Sequence, residues 1–261
     1  MPSHSTFLKS LLFSAKPLAA SDYAEKLYDI LDRWRYRPQK FNDVEPLRNA
    51  WDNREKFIQQ CDYNSKEPFG MIIVKWATPS FYLHVTHRRG PRAKCHSLSI
   101  YGGGPKAFGG PAAPLLLELA DQLFEALGFD YGFACLDDEY HDANIYRNVT
   151  LDDGIIQSKV VVGMEWPDCI PGLYWCNYFG DVYFKQGFGK QIAALPNTTH
   201  LTNGIRLLRS DSAMDWDSDS ERQKTRDLMQ ILGKDWFFTK DTDMPPKCLL
   251  TDKSAFAAPR L

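Results

Sequence analysis

The segment Pro171–Gly180, reading Pro-Gly-Leu-Tyr-Trp-Cys-Asn-Tyr-Phe-Gly, restricts the architecture of this chain more than any other stretch. Tyr174, Trp175, Tyr178 and Phe179 place bulky rings at strand spacing, opened by Pro-Gly and stopped by Gly180. The pattern predicts a buried strand pair, Tyr174–Phe179 against Val182–Phe184, around a tight turn at Gly180-Asp181. Alternation along a strand puts Tyr174 and Cys176 on one face and Trp175 and Asn177 on the other. One face is expected to be buried and the other presented. The segment holds no nucleophile–base pair, because Cys176 has no histidine within it. It reads as architecture.

The run Gly172–Gly180, with Leu195-Pro196, Gly204-Ile205-Arg206-Leu207-Leu208, Leu232-Gly233 and Trp236-Phe237-Phe238, resembles a bacterial type VI secretion immunity family. That family, formerly a domain of unknown function, is associated with nuclease effectors of the VRR-NUC class. The resemblance is densest over residues 165–240. It implies a protein that binds a cognate nuclease effector, as a monomer in a 1:1 complex, and performs no reaction. No cofactor and no metal are then expected, and Gly172, Tyr174, Trp175, Tyr178, Phe179 and Gly180 form the structural signature. The resemblance does not say which surface binds, so partner residues are argued from the chain itself.

Charge is balanced overall and uneven locally. The net charge of −2 lacks the basic field of a nucleic-acid binder. Yet Asp211, Asp215, Asp217, Asp219 and Glu221 crowd one run with no intervening Lys or Arg, and Asp137, Asp138, Glu139 and Asp142 form a second acidic cluster. Trp216 sits inside the first. Nuclease active sites are basic grooves, so a clustered anionic surface would be steered into one, with Trp216 as an apolar anchor. These ten residues are the expected partner-binding set. The competing reading of the 211–221 run is a solvated loop with Asp219 and Glu221 near a helix N-terminus.

The remaining motifs point to no assembled chemistry. His84 and His87 are three apart on an expected strand and face opposite ways, as do Cys95 and His96. The glycine clusters at 102–104 and 109–110 lack the terminal Gly-Lys-Ser/Thr of a phosphate loop, as does Gly187-Phe188-Gly189-Lys190. Arg88–Lys94 is a basic loop in a net-acidic chain, and Asp152-Asp153 reads as a turn. Six spread cysteines without a Cys-x-x-Cys pair are expected to stay reduced. Phe7–Phe13 is charge-interrupted and too short for a signal-peptide core, and no apolar run reaches a membrane span. A soluble, cytoplasmic chain is expected.

Helical spacing from Ser21 to Trp34, over Pro46–Gln60, from Pro114 to Gly128, over Phe188–Ala194 and over Ser220–Leu232 alternates irregularly with strand patterns. Those strands are expected at Met71–Ala77, Ser80–Thr86, Cys95–Tyr101, Tyr131–Cys135, Ser158–Met164, Gly204–Arg209 and Trp236–Thr239. Without regular βαβ alternation the fold class is α+β, a mostly antiparallel sheet flanked by helices. Residues 1–261 are taken as one unit; the alternative is two similar subdomains meeting near 145–160. The rival functions are a metal-dependent hydrolase using Asp137, Asp138 and His141, and a secretion adaptor or chaperone that carries a toxin.

Overall fold

The computed structural model describes residues 7–14, 21–67, 69–88, 95–102, 112–146, 149–150, 156–157, 160–161, 166, 169–185 and 188–238. The chain runs β1 (Leu8–Ser14), α1 (Ser21–Arg33), β2 (Lys40–Asn42), β3 (Asn49–Ala50) and α2 (Arg54–Lys66). Then come β4 (Phe69–Lys75), β5 (Phe81–Arg88), β6 (His96–Gly102), α3 (Ala112–Leu127), β7 (Tyr131–Leu136) and α4 (Asp137–Asn144). Four two-residue strands follow: β8 (Ile145–Tyr146), β9 (Val149–Thr150), β10 (Ile156–Gln157) and β11 (Val160–Val161). The last part carries β12 (Cys176–Gly180), α5 (Asp181–Lys185), α6 (Phe188–Ala193), β13 (Thr198–Leu201), β14 (Gly204–Leu208) and α7 (Asp219–Leu232).

Ten of these strands join in one sheet, ordered β13-β14-β12-β7-β1-β6-β5-β4-β2-β3. Every pairing in it is antiparallel. The fold is therefore α+β, as the irregular alternation of helix and strand patterns predicts, and the sheet draws strands from both sides of residues 145–160.

Period-two alternation sorts the core into two layers. On one face Leu8, Leu12, Leu98, Ile100, Ala134 and Tyr178 pack with Leu27, Leu31, Phe57, Leu116 and Leu123 of α1, α2 and α3. On the other, Leu11, Phe13, Tyr131, Phe133, Phe179, Ile205 and Leu207 pack with Tyr140, Tyr183, Phe188, Ile192 and Leu232 from α4 to α7. The helix ends follow local chemistry. Gly128, at φ +64, closes α3, a left-handed conformation that glycine adopts without steric cost. Ser218 caps α7, its side chain accepting from the Glu221 amide at 3.3 Å.

Several expectations are corrected. The Phe7–Phe13 segment supplies β1, near the middle of the sheet and paired on both sides. Its one charge, Lys9, is neutralised by Asp137 at 2.5 Å and lies 3.7 Å from the Tyr140 ring centre. The second helix begins at Arg54, because Asn53 accepts from the Lys56 amide as its N-cap and Asn49–Ala50 is already strand. The hairpin around Gly180-Asp181 does not form. Instead β12 is inserted between β7 and β14, and Asp181–Lys185 is helical.

No face of the aromatic block is presented: all of Pro171–Gly180 is buried. Gly180 and Gly204 face each other across β12 and β14. A Cβ on Gly180 would lie 2.7 Å from the Phe129 carbonyl oxygen, and one on Gly204 2.2 Å from that of Phe179. Residues 234–236 form a 3-10 turn, after which Phe237 bridges to Ile170. The sequence positions Arg89–Lys94, Gly103–Gly110, Asp152-Asp153, Gly187, Cys248 and the tail from Met244 lie outside the described residues.

Candidate functional site

The aromatic block decides where the acidic run begins. The Arg209 amide donates to the Trp175 carbonyl at 2.9 Å, and Trp175 Nε1 donates to the Ser210 carbonyl at 2.9 Å. Ahead of the strand, Asn177 braces the same segment from inside, accepting from the Tyr174 amide at 3.0 Å and donating to the Tyr174 carbonyl at 2.8 Å. Tyr174 stacks on Phe133, with ring centres 4.1 Å apart, and its hydroxyl donates to Asn144 Oδ1. Buried rings thus hold a rigid base, and the chain leaves it at Ser210.

Beyond that base the run is a built turn. Ser210 Oγ donates to the Ser212 carbonyl at 2.9 Å, and Ser212 Oγ accepts from the Met214 amide at 3.1 Å, starting the short 3-10 turn Ala213–Asp215. The Ser218 amide closes it on the Asp215 carbonyl at 3.0 Å. Asp211, Asp215, Asp217 and Asp219 are all exposed along this turn. Trp216 is half-buried, packs against the α1–α3 core and stands 5.6 Å from the Arg222 guanidinium.

The two acidic clusters meet through one arginine. Arg209 Nη1 donates to Glu139 Oε1 of α4 at 2.7 Å, and Nε donates to Glu221 Oε2 of α7 at 3.2 Å. Thr225 Oγ1 lies 3.3 Å from the same Nη1, and Lys224 Nζ reaches Glu221 Oε1 at 2.5 Å. At the surface Arg222 Nη1 stands 3.8 Å from Asp142 Oδ2. Of the ten residues assigned to partner contact, Glu139 and Glu221 are only 4% exposed and serve this internal cluster instead. Asp137 is held by Lys9, Asp138 is half-buried, and Asp142 is exposed at the rim.

Burial raises the Glu139 carboxyl to about 7, against the opposing pull of Arg209 and the Trp175 amide. Glu221 goes the other way. Burial pushes it up, but hydrogen bonds from Lys224 and Ser210, with the charges of Lys224 and Arg209, bring it below the usual carboxylate value. One guanidinium cannot fully compensate two buried carboxylates, and Glu221, with the extra donors, takes the ionised role.

Arg209, Arg222 and Arg226 were not among the residues singled out from the sequence. A signal for Arg209 was present: Ile205, Leu207 and Arg209 follow one another at spacing two, and the first two face the core, so the third points inward and needs a buried acid. Arg222 and Arg226 share a helix face at spacing four.

The hydrolase set fares differently. His141 Nε2 lies 3.5 Å from Asp137 Oδ2, but Asp137 also holds Lys9. Among the described residues no three His, Cys, Asp or Glu side chains converge as metal ligands would. Cys61, Cys135 and Cys176 are free, buried thiols, and burial pushes Cys61 up to about 12, away from thiolate chemistry. No described helix is long and apolar enough to cross a membrane.

No protein-family model matches this sequence, and no curated protein does. Among solved structures the chain is similar in fold to the Pseudomonas aeruginosa T6SS protein PA0821, at a TM-score of 0.57 and 12% identity. The similarity spans 98% of this chain and 80% of that one.

Proposed function

We propose that this chain is an immunity protein of type VI secretion, which binds a cognate nuclease effector in the producing cell's cytoplasm and neutralises it stoichiometrically. The observation that carries the reading is the exposed turn bearing Asp211, Asp215, Asp217 and Asp219, with Trp216 set among them and a buried aromatic base beneath. A row of carboxylates on a preformed turn presents negative charge without an ordering cost on binding, and suits a basic, DNA-binding groove. The fold shared with a T6SS protein of Pseudomonas aeruginosa adds support, as do the signature residues around Gly172–Gly180. Partner binding leaves Glu139 and Glu221 inside; the contact set is Asp211, Asp215, Trp216, Asp217, Asp219 and Asp142.

Co-expression in a susceptible cell lacking any secretion machinery tests the proposal. An immunity protein restores growth against its nuclease there. A carrier that only delivers a toxin to the export apparatus does not, and equal killing with and without the chain contradicts the proposal.

A further inference from the structure

Between α4, the Gly172–Tyr174 segment and α7 the surface opens into a cleft of about 250 Å³. We propose that it is a binding site for a carboxylate carried on an apolar stem. Its floor is Arg209, which is 6% exposed and whose Nη2 has no hydrogen-bond partner among the described residues. Interiors seldom leave such groups idle, and an arriving oxygen would relieve the desolvation of that guanidinium.

The rim adds two more guanidinium groups. Arg222 spends its Nε on the Asp217 carbonyl at 3.1 Å and stands 3.8 Å from Asp142, and among the described residues Arg226 donates to the neutral Gln223 side chain, at 3.2 and 2.7 Å. Three arginines line the cleft against two acids, Glu139 and Asp142; Glu221, the second acid on Arg209, does not line it. Planar guanidinium groups suit a carboxylate, which accepts two parallel N–H bonds. The opposite wall is apolar, formed by Leu173, Tyr174, Trp216, Met229 and Phe238. That wall favours a ligand with a hydrocarbon stem. A phosphate dianion would leave the wall uncovered and bring a second negative charge toward Asp142. The carboxylate could come from a free small molecule or from a glutamate side chain on a protein. The cleft shares Trp216 and Asp142 with the proposed toxin contact, but no toxin is needed to test it, so the two readings can fail separately.

The test titrates the isotopically labelled full chain with hexanoate, with a glutamate blocked at both backbone ends, and with inorganic phosphate at matched ionic strength. Nuclear magnetic resonance follows the Arg side-chain N–H and Trp216 indole signals. The site predicts saturable shifts at Arg209 and Trp216 with a carboxylate and none with phosphate. Each of the exposed-rim variants Arg222→Gln and Arg226→Gln weakens binding roughly tenfold, the worth of one charge-assisted hydrogen bond. Shifts with the blocked glutamate identify a protein side chain as the source; shifts with hexanoate alone identify a free carboxylate. The inference is overturned if neither carboxylate shifts these signals, if phosphate saturates them equally, or if the two variants bind as the parent does.

Discussion

Arg209 Nη1 donates to Glu139 Oε1 at 2.7 Å, tying the end of β14 to α4 across 70 positions of sequence, with both side chains almost wholly buried. Removing the arginine leaves Glu139 and Glu221 without their shared cation. Arg209→Met is expected to destabilise the chain by about 3–5 kcal/mol, because uncompensated buried charge costs more than the pair contributes. Urea unfolding measures it. A loss below about 1 kcal/mol would mean the cluster is solvated and the burial argument is wrong.

Glu139 also sets a pH dependence. Its folded value of about 7 lies above the ordinary 4.5, so the folded chain binds the extra proton between those values. The stability this contributes is fully present below about 4.5 and is lost as pH rises through about 7. Glu221, held below the ordinary value, contributes in the opposite sense: its share is lost only as pH falls beneath the usual carboxylate range. Denaturation midpoints taken from pH 5 to pH 8 should fall in the parent and flatten in Glu139→Gln. An unchanged slope in the variant assigns the effect elsewhere.

Gly180 and Gly204 tolerate no side chain. A methyl on either is driven into a backbone carbonyl, at 2.7 Å for Gly180 and 2.2 Å for Gly204. Gly204→Ala is expected to cost about 1–3 kcal/mol or more by overpacking, and Gly180→Ala somewhat less. Thermal unfolding decides the order. Equal stability of both variants and the parent would show that neither approach, Gly180 on Phe129 or Gly204 on Phe179, is this close.

Tyr174 joins the block to α4. Its hydroxyl donates to Asn144 Oδ1, while Asn144 Nδ2 donates to the Pro171 carbonyl at 2.9 Å. Tyr174→Phe keeps the ring stacked on Phe133 but strips Asn144 of a donor, so a loss of about 1–3 kcal/mol is expected. Amide exchange at residues 171–177 should quicken in the same variant. Unchanged exchange there would detach the hydrogen bond from the rigidity of the base.

How far the sequence carried depended on how local each cause was. α3 was legible because Leu115, Leu116, Leu119, Leu123 and Phe124 repeat at helical spacing and Gly128 stops them. The exposed aspartates at 211–219 were legible because charge clustering is itself local. β1 was not: its neighbours, β6 and β7, lie about a hundred residues away, and Lys9 hides the apolar run until Asp137 is brought to it. The hairpin error has the same origin. The Gly180-Asp181 turn chemistry suits a hairpin, but the partner strand of β12 is fixed by the distant glycine at 204. Arg209 was overlooked because its meaning depends on α4, and only the fold brings Glu139 beneath it.

The exposed row makes a kinetic prediction. Changing Asp215, Asp217 and Asp219 together to Asn removes three carboxylates from the surface, none of them within the buried cluster. Unfolding stability should move by less than about 0.5 kcal/mol. Association with the nuclease should slow and lose its salt dependence, since clustered charge acts chiefly on encounter rates. An association rate that stays salt-dependent and equal to the parent would place the contact elsewhere.

Titrating the cognate nuclease with the purified chain tests the account at its centre. DNA cleavage is expected to fall linearly with added chain and to vanish at one equivalent, with a single complex eluting in gel filtration. Full cleavage in the presence of excess chain, with the two proteins eluting apart, would contradict it.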